Sequence, residues 1–184
     1  RQVHHHPTSS APDPQLRLET LLVRSGTGTD PATGAITTPI HLSTAYGHPG
    51  LGESTGYDYT RTASPTRDVL QDALARLEGG TAAFALSSGM AALELVTRTL
   101  APHGSRIVAL RDLYGGSFRF LEVLAEEGAA RVDFVLGVEG LRGALADPAD
   151  LVIIETPTNP MMEEISIPEA AELAHAAGAK LVVD

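Results

Sequence analysis

The sequence predicts an α/β fold in which a mostly parallel sheet is flanked by helices. From residue 81 onward, short apolar segments alternate with amphipathic helical patterns, and Gly104, Gly128 and Gly178 each stand between a helix and the next strand. Strict alternation with short connections is typical of a parallel sheet covered by helices. Strands are predicted at residues 81–86, 106–110, 132–136, 151–155 and 181–183, and helices at 89–100, 117–127, 139–146 and 168–177.

The chain before residue 81 is less regular. Residues 1–15 are polar and Pro-rich, which predicts a disordered arm, and the three histidines at positions 4–6 are interpreted as solvated tail residues without a metal. Residues 16–24 and 67–77 show the apolar spacing of helices. Thr66 is the predicted N-cap of the second of these helices, and Gly79 and Gly80 are predicted to end it.

Composition narrows the class of protein. Thirteen basic residues against 23 acidic ones give a formal charge of −10, which argues against a nucleic-acid partner. No apolar tract is long enough to span a bilayer, and there is no cysteine for a disulfide or a thiolate metal site. The first residues lack the apolar segment of a signal peptide. We therefore expect a cytoplasmic protein with no membrane and no metal.

Polar residues follow four of the five predicted strands. In an open parallel sheet, ligands bind beyond the carboxyl ends of the strands, whereas here the opposite ends carry mostly Gly and Ala. The sequence therefore predicts a ligand site at the carboxyl edge. The segments concerned are residues 87–90, 112–117, 156–160 and Asp184.

The residues at this edge suggest one ligand. Ser88 is suited to cap the helix that follows, and the unpaired N–H groups of its first turn, beside Gly89, favour a phosphate or a carboxylate. Tyr114 offers an aromatic face, Asn159 an amide in a loop fixed by prolines, and Asp184 a carboxylate for which we expect a cationic partner. Together they suit pyridoxal 5'-phosphate (PLP), in which a carboxylate keeps the pyridine nitrogen protonated.

Tyr59 and Arg61 form a second candidate element. They lie two residues apart, and in an extended chain their side chains would point the same way. A guanidinium beside a phenol suits phosphate binding, and a surface arginine stacked on a tyrosine is the equally simple alternative.

Five motifs, in order along the chain, resemble those of the Cys/Met metabolism family of PLP-dependent enzymes. This family includes cystathionine γ-synthases, cystathionine γ- and β-lyases and methionine γ-lyases. The resemblance begins at about Leu18 and runs to the last residue. The motifs are residues 57–66, Ser88-Gly89-Met90, Leu113-Tyr114-Gly115-Gly116, Glu155-Thr-Pro-Thr-Asn-Pro160 and Val182-Val183-Asp184.

The resemblance implies a role for each matching residue. The turn at Ser88 holds the cofactor phosphate through the backbone of Gly89 and Met90. Tyr59 and Arg61 are similar to residues that reach the phosphate of a neighbouring subunit's cofactor.

Three further matches concern the cofactor ring. Tyr114 is similar to the tyrosine that stacks on the ring and acts as an acid–base group near the leaving group. Asn159 matches the residue near the ring's 3′-oxygen, and Asp184 matches the partner of the pyridine nitrogen. Tyr114 and Asp184 are therefore the catalytic candidates, and Glu155 is interpreted only as a supporting residue.

The resemblance also implies architecture. It predicts a fold-type-I domain in a homotetramer with shared sites, residues 1–56 as an N-terminal arm and inter-subunit segment, and residues 57–184 as the first part of the PLP-binding large domain. The lysine that binds the cofactor covalently in the family has no match here. Lys180, the only lysine, opens the strand that ends at Asp184, roughly 13 Å away. We expect a fragment that ends before that lysine and is inactive by itself.

The resemblance favours a C–S lyase that eliminates the γ-substituent of methionine or cystathionine. The alternative is a transferase that performs γ-replacement on an activated homoserine. Methionine γ-lyases often carry a cysteine at the position of Gly116, which weakens that particular assignment.

The sequence also allows two functions outside PLP-dependent catalysis. Residues 85–89 resemble the nucleophile elbow of an α/β serine hydrolase, with Ser87 as nucleophile. Its base would have to be a later histidine, but His103 and His175 are predicted to lie away from the carboxyl edge of the sheet. A non-catalytic assembly partner is the other, because the cofactor lysine has no match.

Overall fold

The chain divides into two compact units, the first up to Ala85 and the second from Leu86 to Asp184. The second unit consists of apolar strands and the helices that flank them. The computed structural model describes residues 16–28, 30 and 32–184. The predictions for residues 1–15, including the histidines at positions 4–6, lie outside the described residues.

Four strands of the second unit form one sheet in the order β2-β1-β3-β4, and all neighbouring pairs are parallel. The predicted parallel sheet with flanking helices is therefore confirmed. The strands are β1 (Ser105–Leu110), β2 (Ala130–Val135), β3 (Leu151–Ile154) and β4 (Lys180–Val183). The helices are α3 (Gly89–Leu100), α4 (Gly115–Glu126), α5 (Gly137–Ala144) and α6 (Ile167–Ala176).

The core lies on both sides of the two central strands. All four residues of β3 are buried, as are Ile107 to Leu110 of β1. Helices contribute fully buried side chains from above and below, such as Leu121 of α4 and Leu141 of α5. Near-continuous apolar strands are what a parallel sheet requires when helices cover both faces.

The strand order reverses between β1 and β3. From β1 the chain crosses through α4 to β2 on one side, and from β3 it crosses through α6 to β4 on the other side. In open α/β sheets a crevice forms at such a switch point, beyond the carboxyl ends of the two strands. The segments that follow β1 and β3 therefore flank this crevice.

The first unit consists of two helices and irregular segments. Its helices are α1 (Leu18–Arg24) and α2 (Pro65–Leu77), and two isolated bridges join Thr27 to Thr37 and Ala45 to Tyr59. No hydrophobic side chain of its described residues is buried. Hydrogen bonds, including some between residues 12 to 25 positions apart, join its segments.

The predicted cap of α2 is wrong. The helix begins at Pro65, because the fixed φ of proline suits the first helical position, and this moves the N-cap to Ser64. The Thr66 hydroxyl accepts a hydrogen bond from the N–H of His41 at 2.9 Å instead. The helix ends as predicted, with Gly79 at φ +63°.

The predicted strand at residues 81–86 is also wrong. These residues are not paired in any sheet of the described chain, and the side chains of Phe84 and Leu86 are exposed. The N–H of Ala85 donates to Oε1 of Gln71, 3.0 Å away on α2. The segment has the apolar pattern of a strand, but no strand within residues 16–28, 30 and 32–184 pairs with it.

The boundary between the compact units falls after Ala85, whereas the division predicted from the resemblance falls after residue 56. The predicted division describes roles in an assembly rather than contacts within one chain, so it stays a prediction. Among the described residues, none of the helices combines the length and apolar character needed to cross a membrane.

Candidate functional site

An open cleft of about 460 Å³ lies at the carboxyl edge of the sheet in the second unit. Six of the eight residues predicted to bind the cofactor line it, together with two others. The lining residues are Ser88, Gly89, Met90, Tyr114, Ser117, Glu155, Asn159 and Asp184.

The start of α3 forms one wall of the cleft. Ser88 is the N-cap of α3, and its hydroxyl accepts from the N–H of Ala91 at 3.1 Å. The N–H groups of Gly89 and Met90 have no acceptor among the described residues. A Cβ built on Gly89 would meet nothing within 4 Å, so the backbone is open to a ligand. Unpaired N–H groups at a helix start bind anions.

Tyr114 stands on the opposite side, at the start of α4. Its ring is half exposed, and its N–H donates to Oε2 of Glu155 at 2.6 Å. A Cβ on Gly116 would lie 2.5 Å from Cε1 of Tyr114 and 3.0 Å from Sδ of Met90. The ring can take this position only because residue 116 is a glycine.

Asn159 lies in the loop that follows β3, and its side chain is exposed. Thr158 anchors this loop: it is buried, its N–H donates to the carbonyl of Glu163, and its hydroxyl accepts from the N–H of Glu163, both at 2.9 Å. The anchor places the amide of Asn159 at the cleft.

Asp184 directly follows β4. Its N–H donates to the carbonyl of Ile154 at 2.9 Å, and its own carbonyl accepts from the N–H of Thr156 at 3.2 Å. Its side chain is exposed and lines the cleft, and the cationic partner expected for it stays a prediction.

Tyr59 and Arg61 lie in the first unit, and both are exposed. The guanidinium carbon of Arg61 is 5.0 Å from the centroid of the Tyr59 ring. The expected extended backbone is wrong, because the N–H groups of Thr62 and Ala63 close a turn on the Tyr59 carbonyl at 3.0 and 3.2 Å. The pair is therefore stacked, as the simpler alternative proposed, and its role in phosphate binding stays a prediction.

The hydrolase reading requires a histidine near Ser87. His103 follows the far end of α3, whose twelve residues span about 18 Å, and His175 lies in the last turn of α6. Neither histidine lies beside the start of α3. Within the described part of the chain, no group of three or more His, Asp or Glu side chains could hold a metal ion.

Sequence reasoning assigns too little to two carboxylates near this edge of the sheet. Glu155 lines the cleft, and its position directly after a buried strand is a usable signal. Asp112 lies in the loop after β1, and its Oδ2 accepts from the N–H of Met161 at 3.3 Å. Their partners lie 41 and 49 residues away, which a local pattern does not reveal.

The profile of the Cys/Met metabolism PLP-dependent enzymes matches residues 19–184. The chain belongs to this family. It is 45% identical over 167 residues to a cystathionine gamma-synthase of Escherichia coli (strain K12), covering 90% of this chain and 43% of that protein. It is 42% identical over 173 residues to one of Haemophilus influenzae, covering 92% and 47%.

The solved structures agree. A cystathionine gamma synthase of Xanthomonas oryzae pv. oryzae superimposes with a TM-score of 0.86 at 40% identity, covering 92% of this chain and 44% of that chain. Family members named as lyases match as well. The chain spans about half the length of the curated relatives that it matches.

PLP is the cofactor of this family, and the cleft fits it. The open N–H groups of Gly89 and Met90 are donors for a phosphate, while the carboxylate of Asp184 suits a protonated ring nitrogen. The amide of Asn159 and the ring of Tyr114 complete a donor set for a flat, hydroxylated ring.

Proposed function

We propose that this chain forms the PLP site of an enzyme that exchanges or eliminates a substituent at the γ-carbon of an amino acid. One observation carries the proposal: a single cleft joins an open helix start to Tyr114, Asn159 and Asp184. These groups match, from one end to the other, the phosphate, the ring and the ring nitrogen of the cofactor.

Each residue of the cleft has a proposed task in holding the cofactor. The backbone N–H groups of Gly89 and Met90 would bind its phosphate, and Tyr114 would pack on its ring. Asn159 would donate to the ring oxygen, and Asp184 would keep the ring nitrogen protonated. When bound, PLP supplies an electron sink for the carbanion that forms at the Cα of an amino acid.

Tyr114 is the proposed acid–base group of this chain. Its half-exposed ring reaches the cleft, so the phenol can move a proton to or from a substrate group that leaves or enters. Replacing Tyr114 by Phe in the intact protein should lower kcat by about 10²-fold or more with a small change in PLP affinity. An equal loss in kcat and in PLP affinity would argue that the phenol holds the cofactor instead.

We favour γ-replacement on an activated homoserine as the reaction. The relatives at 42–45% identity that support this choice carry the name cystathionine gamma-synthase. The γ-elimination predicted from the sequence is the second candidate, supported by a cystathionine gamma-lyase of Bacillus subtilis (strain 168) at 36% identity. A cytoplasmic location stays a prediction.

The two reactions are separated by their products. In one assay, purified intact protein would be given O-acetyl- or O-succinylhomoserine with and without cysteine, and γ-replacement predicts that cystathionine forms when cysteine is present. In a second assay the substrate would be cystathionine or methionine, and γ-elimination predicts that 2-oxobutanoate forms. A protein that binds PLP and forms neither product would refute both reactions.

We also propose a homotetramer in which Tyr59 and Arg61 reach a neighbouring subunit's cofactor. Their exposure in the first unit supports a role outside their own unit. Mixing the variant Arg61→Ala with Asp184→Asn should restore part of the activity, because some sites would then be built from two intact halves. No recovery in mixed tetramers, verified by tagged subunits, would contradict shared sites.

The 184 residues by themselves are proposed to lack covalent cofactor chemistry. Lys180 opens β4 at the edge of the sheet opposite to Asp184, and its N–H donates to the carbonyl of Asp150 at 3.1 Å. After incubation with PLP and borohydride, mass spectrometry of this polypeptide should show no specific modification of Lys180. A stoichiometric adduct that is lost in Lys180→Arg would contradict this.

A further inference from the structure

We propose that Glu155 is a positioning residue for Tyr114, and that it acts through the backbone of Tyr114 rather than on a bound ligand. Oε2 of Glu155 accepts the N–H of Tyr114 at 2.6 Å. A hydrogen bond to a carboxylate is roughly twice as strong as one between neutral groups. This inference rests on the proposed function, because it assigns a task within the same cleft.

The backbone of Glu155 is well supported. It follows β3, whose four residues are all buried. The residues on both sides of it pair with Asp184: the carbonyl of Ile154 accepts from the N–H of Asp184, and the N–H of Thr156 donates to its carbonyl. Glu155 therefore presents its carboxylate from a fixed point of the sheet.

Tyr114 is the N-cap residue of α4, and its side chain makes no capping hydrogen bond. Its carbonyl accepts from the N–H of Phe118 at 3.0 Å, within the first turn of α4. Its N–H, in contrast, has one partner among the described residues, the carboxylate of Glu155. The bond from Glu155 therefore ties this N-cap to β3 and restrains the direction in which the phenol leaves the backbone.

A second bond runs in the opposite direction between the same two loops. Asp112, two residues before Tyr114, accepts the N–H of Met161, two residues after Asn159. Each loop therefore supplies a carboxylate to the backbone of the other. The pair of bonds joins the loop that carries Tyr114 to the loop that carries Asn159.

The test uses Glu155→Ala and Glu155→Gln in the intact protein, with Glu164→Ala as control. Gln keeps an oxygen that can accept the N–H of Tyr114 but has no charge. Glu164 is an exposed carboxylate of the loop after β3, and its side chain has no hydrogen bond or ion pair within the described chain. The readouts are hydrogen exchange of the Tyr114 amide without PLP, the Kd for PLP, kcat and KM.

We expect the Tyr114 amide of Glu155→Ala to exchange at least about tenfold faster. Misplacement of the phenol should lower kcat by about 10- to 100-fold with KM little changed. In Glu155→Gln, the Tyr114 amide should exchange only a few-fold faster and kcat should fall only a few-fold. Glu164→Ala should match the unmodified protein in both measurements. Should Glu155→Ala fail to fold, a few-fold faster exchange in Glu155→Gln is the expected result, and unchanged exchange there would overturn the proposal.

Two results distinguish other roles. If Glu155→Gln loses as much kcat as Glu155→Ala while its Tyr114 amide stays protected, the charge of Glu155 acts directly on the ligand and the proposal is wrong. Unchanged exchange in Glu155→Ala also refutes it. If the unmodified protein does not bind PLP, the proposed function fails, whereas the exchange result still decides whether Glu155 holds Tyr114.

Discussion

The two compact units differ in where their apolar side chains lie. Every buried hydrophobic side chain of the described chain belongs to the second unit, and Ser64 is the sole buried residue described in the first. The first unit instead exposes large apolar side chains such as Ile36, Ile40 and Leu42. Burial of apolar surface therefore organises the second unit and contributes little to the first.

Hydrogen bonds, many of them between residues close in sequence, shape the first unit instead. The carboxylate of Asp30 accepts from Thr33, and the ring of His48 lies within hydrogen-bond distance of the Glu53 carbonyl and the Asp58 carboxylate. Such contacts shape turns without excluding water. Exposed large apolar side chains are typical of segments that contact other chains, which agrees with the proposed oligomer.

A matched pair of leucines tests this contrast with the largest expected effect. Leu121 of α4 is 0% exposed and Leu42 of the first unit is 92% exposed. Leu121→Ala should lower the free energy of unfolding by about 2–5 kcal/mol, because it leaves a cavity, whereas Leu42→Ala should change it by less than about 0.5 kcal/mol. Urea unfolding measures both. A similar cost at the two positions would mean that Leu42 is buried in solution.

A partly buried ion pair gives the next test. The Arg106 side chain, 15% exposed, binds Asp133 at 2.7 Å and also donates to the carbonyls of Ala144, Asp147 and Pro148 at 3.0 Å. Arg106→Ala should destabilise the protein by about 2–4 kcal/mol, because three carbonyls lose a donor and Asp133 loses its nearer partner. Arg131, 72% exposed and 3.5 Å from Asp133, is the control, with an expected cost below about 1 kcal/mol.

The reverse order of these two costs would show that the carboxylate of Asp133 is held mainly by its exposed partner. Thermal unfolding at low and high salt would then separate them, since exposed pairs are screened more strongly.

Two N-cap serines, one in each unit, allow a comparison with a smaller expected change in the free energy of unfolding. Ser88 caps α3 through its side chain, whereas Ser64 precedes α2 and makes no such bond. Ser88→Ala should cost about 1 kcal/mol of unfolding free energy, and Ser64→Ala only a few tenths. Equilibrium unfolding checks both values. Equal costs would indicate that Ser64 stabilises its unit through its buried position.

The smallest expected effect is a pH dependence of stability that arises from Tyr57 in the first unit. Burial, followed by the hydrogen bond that its hydroxyl donates to Asp68 at 2.9 Å, raises the pKa of Tyr57 to about 12. Because the folded-state pKa is raised above the ordinary value of 10.0, this contribution to stability is complete below pH 10 and is lost as the pH rises through 12.

Tyr57→Phe should therefore be slightly less stable than the unmodified protein at neutral pH, and the difference should shrink between pH 10 and 12. Chemical unfolding at several pH values, with tyrosinate absorbance as the titration signal, measures this. A difference that stays constant across that range would contradict the raised pKa.

The elements of the second unit could be predicted from the sequence to within two residues. Buried strands such as residues 151–154 form uninterrupted apolar runs. Between a helix and the strand that follows it, the chain turns at a glycine with positive φ: +89° at Gly104, +68° at Gly128 and +78° at Gly178. Both signals are local, so one sequence suffices. The carboxyl edge of the sheet could also be predicted as the location of the site, because the polar segments directly follow the strands in the sequence.

What could not be predicted depends on partners far along the chain or on solvent. Residues 81–86 have the pattern of a strand, yet a strand forms only beside another. The turn that stacks Arg61 on Tyr59 follows from hydrogen bonds to one carbonyl, and the contact between Glu155 and Tyr114 joins positions 41 residues apart. Periodicity carries no information on any of these.

Two helices, α3 and α4, begin at the same cleft, and they begin differently. The start of α3 offers free N–H groups, whereas the start of α4 already faces the negative charge of Glu155. An anion that enters the cleft is therefore attracted by the start of α3 and repelled by the carboxylate of Glu155 at the start of α4. This difference in charge between the two walls favours one orientation of a ligand that has an anionic end and a flat end.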